Sequence, residues 1–348
     1  MGVAHLLNDP LLGCFPAAGG YWHTGSVAKV AEGRRTDGTS STYLTEGLNW
    51  SRPVPEELVH RSAKSEVFIT SVSREGDDTF LLAARWPRDH TFYHPYEAGR
   101  HDPMLIAETM RQAGIVVAHA GYDVPFGTQF IMADICFYLI NAAALIVEKD
   151  HPGLVVSLSC SEVVRREGML RRARFHVGLL RDGARFAHGS GLLICVPAGA
   201  YEQLRARRAL SSPAPRPALP RLNPAVVGRR WEGDVLLCDG PGWRRGSSSA
   251  SWRVQVDPNH PALFDHPLDH LTGMVQLETF RQAALALTTP AGGANRHRFL
   301  GCDVRFLRMV HTHASVRCWA RSLEPHTVHL KLADENLTPL TEGSVWLG

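Results

Sequence analysis

Two hexapeptides, Glu108-Thr-Met-Arg-Gln-Ala113 and Glu278-Thr-Phe-Arg-Gln-Ala283, each set a carboxylate, a guanidinium and a carboxamide close together. On a helix the Arg and Gln lie three and four residues beyond the Glu, so the three side chains are neighbours. A carboxylate held in a cleft serves as a general acid or base. An Arg offers forked hydrogen bonds to phosphate or carboxylate. His and Asp crowd the segments leading into both hexapeptides. Before the first run Trp86-Pro-Arg-Asp-His90-Thr-Phe-Tyr-His94 and Gly99-Arg-His101-Asp-Pro103. Before the second come His260 and Phe264-Asp-His-Pro-Leu-Asp269-His270-Leu-Thr-Gly273. A helix N-terminus fed by such a loop favours anions and polarises carbonyls.

The candidate acid–base groups are Glu108 with His94 or His101, and Glu278 with His270 or His260. Asp269 is placed to orient His270 or to order its loop. The candidate substrate contacts are Arg111, Arg281, Gln112 and Gln282. One competing reading is a solvated salt bridge worth a few tenths of a kcal/mol. Another is a buried network that locks two halves of the chain together. The recurrence of Glu-x-x-Arg-Gln amid otherwise different residues argues against the solvated pair.

Helices are expected over Asp102–Ala120, with Asp102-Pro103 as cap and first turn and Gly121 as stop, and over Leu271–Thr288. Alternating runs predict strands around them. In the first half these are Ser65–Val72, Thr79–Trp86, Gln129–Ile140, Leu154–Arg165, Met169–Leu180 and Ala184–Val196. In the second they are Gly233–Cys238, Ala250–Val256, His297–Val310, Ala314–Ser322, Thr327–Ala333 and Leu340–Leu347. Self-similarity joins the halves. His90 and Met104 match His260 and Met274 at an offset of 170, and Phe130, Asp134 and Phe137 match Phe299, Asp303 and Phe306 at 169. Val59-His-Arg61 resembles Val227-Gly-Arg229 at an offset of 168. The chain therefore divides into an N-terminal extension (1–45), a first repeat (54–198), a Pro- and Arg-rich linker (199–224) and a second repeat (225–348). The expected class is α+β: a tandem hotdog, two curved antiparallel sheets each wrapped round a long central helix, forming an internal pseudo-dimer.

Composition narrows the function. The chain has 348 residues, a net charge of +3 and 7 Cys, none in a C-x-x-C pair. No apolar run approaches the ~20 residues of a membrane span. The small net charge and the lack of a binding motif argue against nucleic acid. Isolated Cys and the absence of a signal-peptide pattern suggest reduced thiols in the cytoplasm. No metal is expected, because His311-Thr-His313 stands without further ligands at a metal-binding spacing. An Arg cluster, Arg165, Arg166, Arg171, Arg172 and Arg174, reads as a hairpin that either is solvated or meets an acidic carrier protein or the phosphates of coenzyme A.

The strings LVHRSAKSEVFIT, GRHDPMLIAETMRQAG and FDHPLDHLTGMVQLETFRQA resemble the A-factor biosynthesis family, the γ-butyrolactone and furan autoregulator synthases of actinomycetes. The likeness spans about residues 54–348, and Thr272 departs from it where Pro is expected. It implies transfer of a β-ketoacyl group from acyl carrier protein or coenzyme A to the hydroxyl of dihydroxyacetone phosphate, with no cofactor. The ester then leads to a butyrolactone, butenolide or furan signal. A homodimer of such chains is compatible with the resemblance. A wider likeness to hotdog dehydratases rests on the fourteen-residue spacing of His94 and Glu108; Phe264 stands at the matching place in the second repeat. A thioesterase, a dehydratase and a non-catalytic acyl-binding regulator are the alternatives.

Overall fold

The computed structural model describes residues 44–94, 99–149, 153–202, 219–238, 247–266, 268–290 and 297–348. The 1–45 extension, apart from its last two residues, and positions 203–218 of the linker lie outside the described residues.

The first repeat comprises β1 (Ile69–Gly76), β2 (Thr79–Ala84), α1 (Met104–Val116), β3 (Gln129–Leu139), β4 (Leu154–Arg166), β5 (Met169–Arg181) and β6 (Ala184–Val196). The second comprises β7 (Leu237–Cys238), β8 (Ser249–Val254), α2 (Gly273–Thr288), β9 (Phe299–Phe306), β10 (Arg317–Glu324), β11 (Thr327–Ala333) and β12 (Pro339–Leu347). The strands form one 12-stranded sheet in the order β1-β2-β4-β5-β6-β3-β9-β12-β11-β10-β8-β7. The order is palindromic: each half repeats the other outward from the β3–β9 seam. There Ile135 pairs with Val304, its own counterpart at the offset of 169, so a pseudo-twofold axis passes through this pair. Helix α1 packs on β1, β3, β5 and β6, and α2 on β7 to β12. This is the double hotdog that the sequence implies.

Because each helix lies inside its sheet, burial encircles it. Every residue of α1 except Arg111 is buried. In α2 every residue from Met274 to Leu287 is buried, Arg281 included. Asp102 caps α1 by accepting from Met104 N at 2.8 Å.

Two expected strands start four residues late. β1 begins at Ile69 rather than Ser65, and β7 holds only Leu237–Cys238 of Gly233–Cys238. The reason lies in the helices. Gln112 donates to the Glu66 carbonyl at 2.7 Å and accepts from Phe68 N at 2.8 Å. Gln282 treats Asp234 and Leu236 in the same way, at 2.8 Å each. A side chain satisfies the backbone there, and no neighbouring strand is needed. β9 is shorter than His297–Val310 because the chain turns at Leu307 and Arg308, whose N–H groups both reach the Leu340 carbonyl.

Candidate active site

Each hexapeptide builds the same buried knot, completed by an Arg upstream of β1 or β7. The Glu108 carboxylate accepts from Arg111 at 2.8 and 2.9 Å, from Arg61 at 2.9 and 3.1 Å, and from Gln112 at 2.7 Å. The Glu278 carboxylate accepts from Arg281 at 2.8 and 2.9 Å, from Arg229 Nε at 2.8 Å and from Gln282 at 2.6 Å, and Arg229 Nη2 pairs with it in charge at 2.6 Å. Arg61 and Arg229 correspond at the offset of 168. Burial alone would raise these carboxyls; paired guanidinium groups and the Gln or Arg hydrogen bonds outweigh it and hold both at about 2. Both are therefore ionised over the working pH range.

That state carries a prediction. Each carboxyl titrates near 2 in the folded chain, against an ordinary 4.5. A lowered folded value adds stability that is fully present above 4.5 and drains away as the pH falls towards 2. The denaturation midpoint in urea is expected to hold steady from neutral pH to about 5 and to drop steeply below about 4.5. A midpoint still flat at pH 3 would contradict the ionised, paired glutamates.

The surroundings of the two knots differ. Around Arg61 and Arg111 opens a cavity of about 210 Å³. Its walls come from both repeats: His60, Arg61, Arg111, Ile115 and Phe130 from the first, and Asp265, His266, His270, Gly273, Met274 and Arg308 from the second. Asp265 clasps the repeats together by accepting from Ser62 N at 2.7 Å and pairing with Arg61 at 3.4 Å. Around Glu278 the space is filled. Arg229, Arg281 and Glu278 have no exposed side-chain surface, and the Phe92 ring lies 3.8 Å from the Arg229 guanidinium carbon. Arg229 also donates to the Phe92 carbonyl at 2.6 Å and reaches Asp102 at 3.3 Å. At the open knot Arg61 donates in the same manner to the Ala262 carbonyl at 3.2 Å. Ala262 stands where the other repeat has Phe92, at the offset of 170.

The sequence pairs Glu108 with histidines of its own repeat; the fold instead joins its knot to the loop of the other. His270 lines the open cavity, with Asp269 at 3.0 Å and the Tyr201 hydroxyl at 3.4 Å from its Nδ1. His94 is buried and is not among the cavity walls. His101 stands edge-on to Trp86, 5.4 Å between centroids, beside a separate hollow. His260 forms a turn: its Nδ1 accepts from Ala262 N and Leu263 N, and its Nε2 donates to Asp234 at 3.0 Å. His90 is built alike, with Glu66 at 3.0 Å. Gln112 and Gln282 bind the glutamates and the backbone, as described above. Arg174 of the basic hairpin is taken by Asp134 at 2.8 and 3.0 Å and by Glu162 at 2.9 Å.

Sequence reasoning does not single out His60, Arg61, Asp265, His266 or Arg308 as site residues. A signal exists for Arg61, because it recurs as Arg229. For His60 the signal is the reverse, a His opposite Gly228.

A family model described as an A-factor biosynthesis hotdog domain matches residues 45–197 and 210–337. The chain belongs to the A-factor biosynthesis hotdog family. Among its relatives is a 2-oxo-3-(phosphooxy)propyl 3-oxoalkanoate synthase of Streptomyces virginiae, 38% identical over 234 residues, or 67% of this chain and 76% of that protein. A protein of the same name from Streptomyces coelicolor is 37% identical over 239 residues, or 69% and 74%. An acyl-ACP thioesterase structure from Bacteroides thetaiotaomicron is similar at 12% identity and a TM-score of 0.43, covering 78% of this chain and 97% of that one. In this family member no helix among the described residues is long and apolar enough to cross a membrane.

Proposed function

We propose that this chain is an acyltransferase that joins a 3-oxoacyl group, delivered as a thioester, to the free hydroxyl of dihydroxyacetone phosphate. The product is a 2-oxo-3-(phosphooxy)propyl 3-oxoalkanoate, the precursor of a butyrolactone, butenolide or furan signal. The observation that carries this reading is the composite cavity, where guanidinium groups face an apolar wall. Ile115, Ile131, Met132, Leu193, Met274 and Met309 suit an acyl chain. Arg111 and Arg308 suit a phosphate: Arg308 has no side-chain partner among the described residues, and Arg111 spends only its Nε and Nη2 on Glu108 and the Val59 carbonyl. The start of α2 at Gly273 lends unspent backbone N–H groups for the thioester oxygen.

The open knot is the working one in this proposal. Glu108 holds Arg61 and Arg111 in position, and Asp269 with Tyr201 orders His270 at the cavity rim. Glu278, Arg281 and Arg229 form a sealed structural copy. The thioester carrier in this proposal is either an acidic carrier protein or coenzyme A.

The test is to incubate the protein with a 3-oxoacyl thioester, with and without dihydroxyacetone phosphate, and to follow products by mass spectrometry. A phosphorylated ester formed only with the acceptor supports the reading. Free acid formed regardless of acceptor points to a thioesterase instead. Arg111→Lys loses the fork and is expected to raise KM for dihydroxyacetone phosphate about tenfold to a hundredfold, leaving KM for the thioester within a factor of about two. An unchanged acceptor KM would remove Arg111 from the phosphate site.

A further inference from the structure

Helix α1 does not stop at Val116 but runs on through a π turn, Val117–Gly121. Such turns gather at functional sites. This one carries His119, whose Nε2 lies 3.1 Å from the Nε2 of His60. His119 Nδ1 lies 2.7 Å from the Val124 carbonyl, which can only accept, so Nδ1 carries the proton. His119 Nε2 then holds a lone pair, and the proton between the rings belongs to His60 Nε2. The remaining ring nitrogen of His60, Nδ1, keeps its lone pair and has no hydrogen-bond partner among the described residues, and His60 lines the composite cavity.

The backbone of His60 is itself unusual. Its φ is 52°, in the left-handed region that disfavours side chains, and its counterpart Gly228 has φ 67°. The repeat with the sealed knot has glycine at this position; the repeat with the open cavity carries an imidazole there despite the strain. Burial most of all, with His119, Arg111 and His266, pushes His60 down to about 3, so its lone pair is available but holds a proton only weakly and passes it on at once.

Building on the acyl-transfer reading above, we propose that His60 is the general base of this site and that His119 is the positioning residue that fixes its tautomer. His60 Nδ1 takes the proton from the hydroxyl of dihydroxyacetone phosphate as that oxygen bonds to the thioester carbonyl carbon. The carbon–sulfur bond then breaks, and the proton passes from His60 to the departing thiolate. Nothing is oxidised or reduced, and ester and thiol leave with all atoms accounted for.

His60→Gly is the informative variant, since Gly228 shows that the backbone accepts glycine there. The expected result is a fall in kcat of about 10²- to 10⁴-fold with KM for dihydroxyacetone phosphate within a factor of about three. Added imidazole should restore turnover in proportion to its concentration. His119→Gln keeps an acceptor for His60 and a donor for Val124 and should retain most activity; His119→Leu should lower kcat while leaving KM. Activity of His60→Gly within about threefold of the parent overturns the proposal, and so does a loss that imidazole leaves unrepaired in a protein with an unchanged melting temperature. If the parent chain hydrolyses the thioester and ignores the acceptor, the acyl-transfer reading fails alone. The same imidazole comparison, run on hydrolysis, then judges His60 as a base acting on water.

Discussion

Glu278→Gln is expected to destabilise the chain by about 3–5 kcal/mol, the range seen when one partner of a buried ion pair is removed. The substitution keeps the shape but strips the charge that Arg229 and Arg281 share. Neither guanidinium has any exposed side-chain surface. Arg229 would keep Asp102, at 3.3 Å, and the Phe92 carbonyl, and both guanidinium groups would lose the Glu278 charge that they share. Glu108→Gln removes an equivalent group, yet Arg61 and Arg111 border a cavity and Arg61 keeps Asp265 at 3.4 Å. Its stability cost is expected to be smaller and its activity loss larger. Urea unfolding and the turnover of the folded fraction separate the two effects. A Glu278→Gln protein that loses less than about 1 kcal/mol, or that stays fully stable but inactive, would contradict the assignment of the second knot to structure.

Ala262→Phe should lower ester formation by at least about a hundredfold in the folded protein, and because Ala262 is buried in the core it should also lower the melting temperature. The other repeat supplies the rationale. Phe92 sits at the matching position with the same carbonyl contact to its Arg, and its ring covers that Arg completely. A phenyl at 262 would lay the same lid on Arg61, which is one wall of the cavity of about 210 Å³. The reverse change, Phe92→Ala, should open space around Arg229 without creating activity, because Gly228 supplies no imidazole there. Thermal melts and mass spectrometry of the product check both. Undiminished turnover in Ala262→Phe would place the chemistry elsewhere.

The architecture was legible in the sequence because both helices and most strands obey plain periodicities, and because the duplication shows twice what one repeat shows once. Six positions of the two helices, Met104, Glu108, Thr109, Arg111, Gln112 and Ala113, recur at the offset of 170, so the knot could be expected as a unit from Glu108, Arg111 and Gln112. Its orientation could not. The period of a helix says which side chains adjoin, but not which loop of the other repeat will face them. Hence the sequence pairs His270 with Glu278, whereas it lines the cavity beside Arg111. His60 was hidden for a second reason: its importance depends on a left-handed backbone and a ring partner 59 residues away. No local pattern announces either.

The β3–β9 seam bears on how the protein behaves when it is scarce. A cavity walled by two halves would ordinarily come apart when the halves are diluted below their dissociation constant. Here the halves share one chain and one sheet, and Ile135 stands in register with Val304 across the join. Association is intramolecular, so the local concentration of one half around the other does not depend on how much protein is present. A cell needing only a trace of signal can run this site at copy numbers where a separable pair would lie idle.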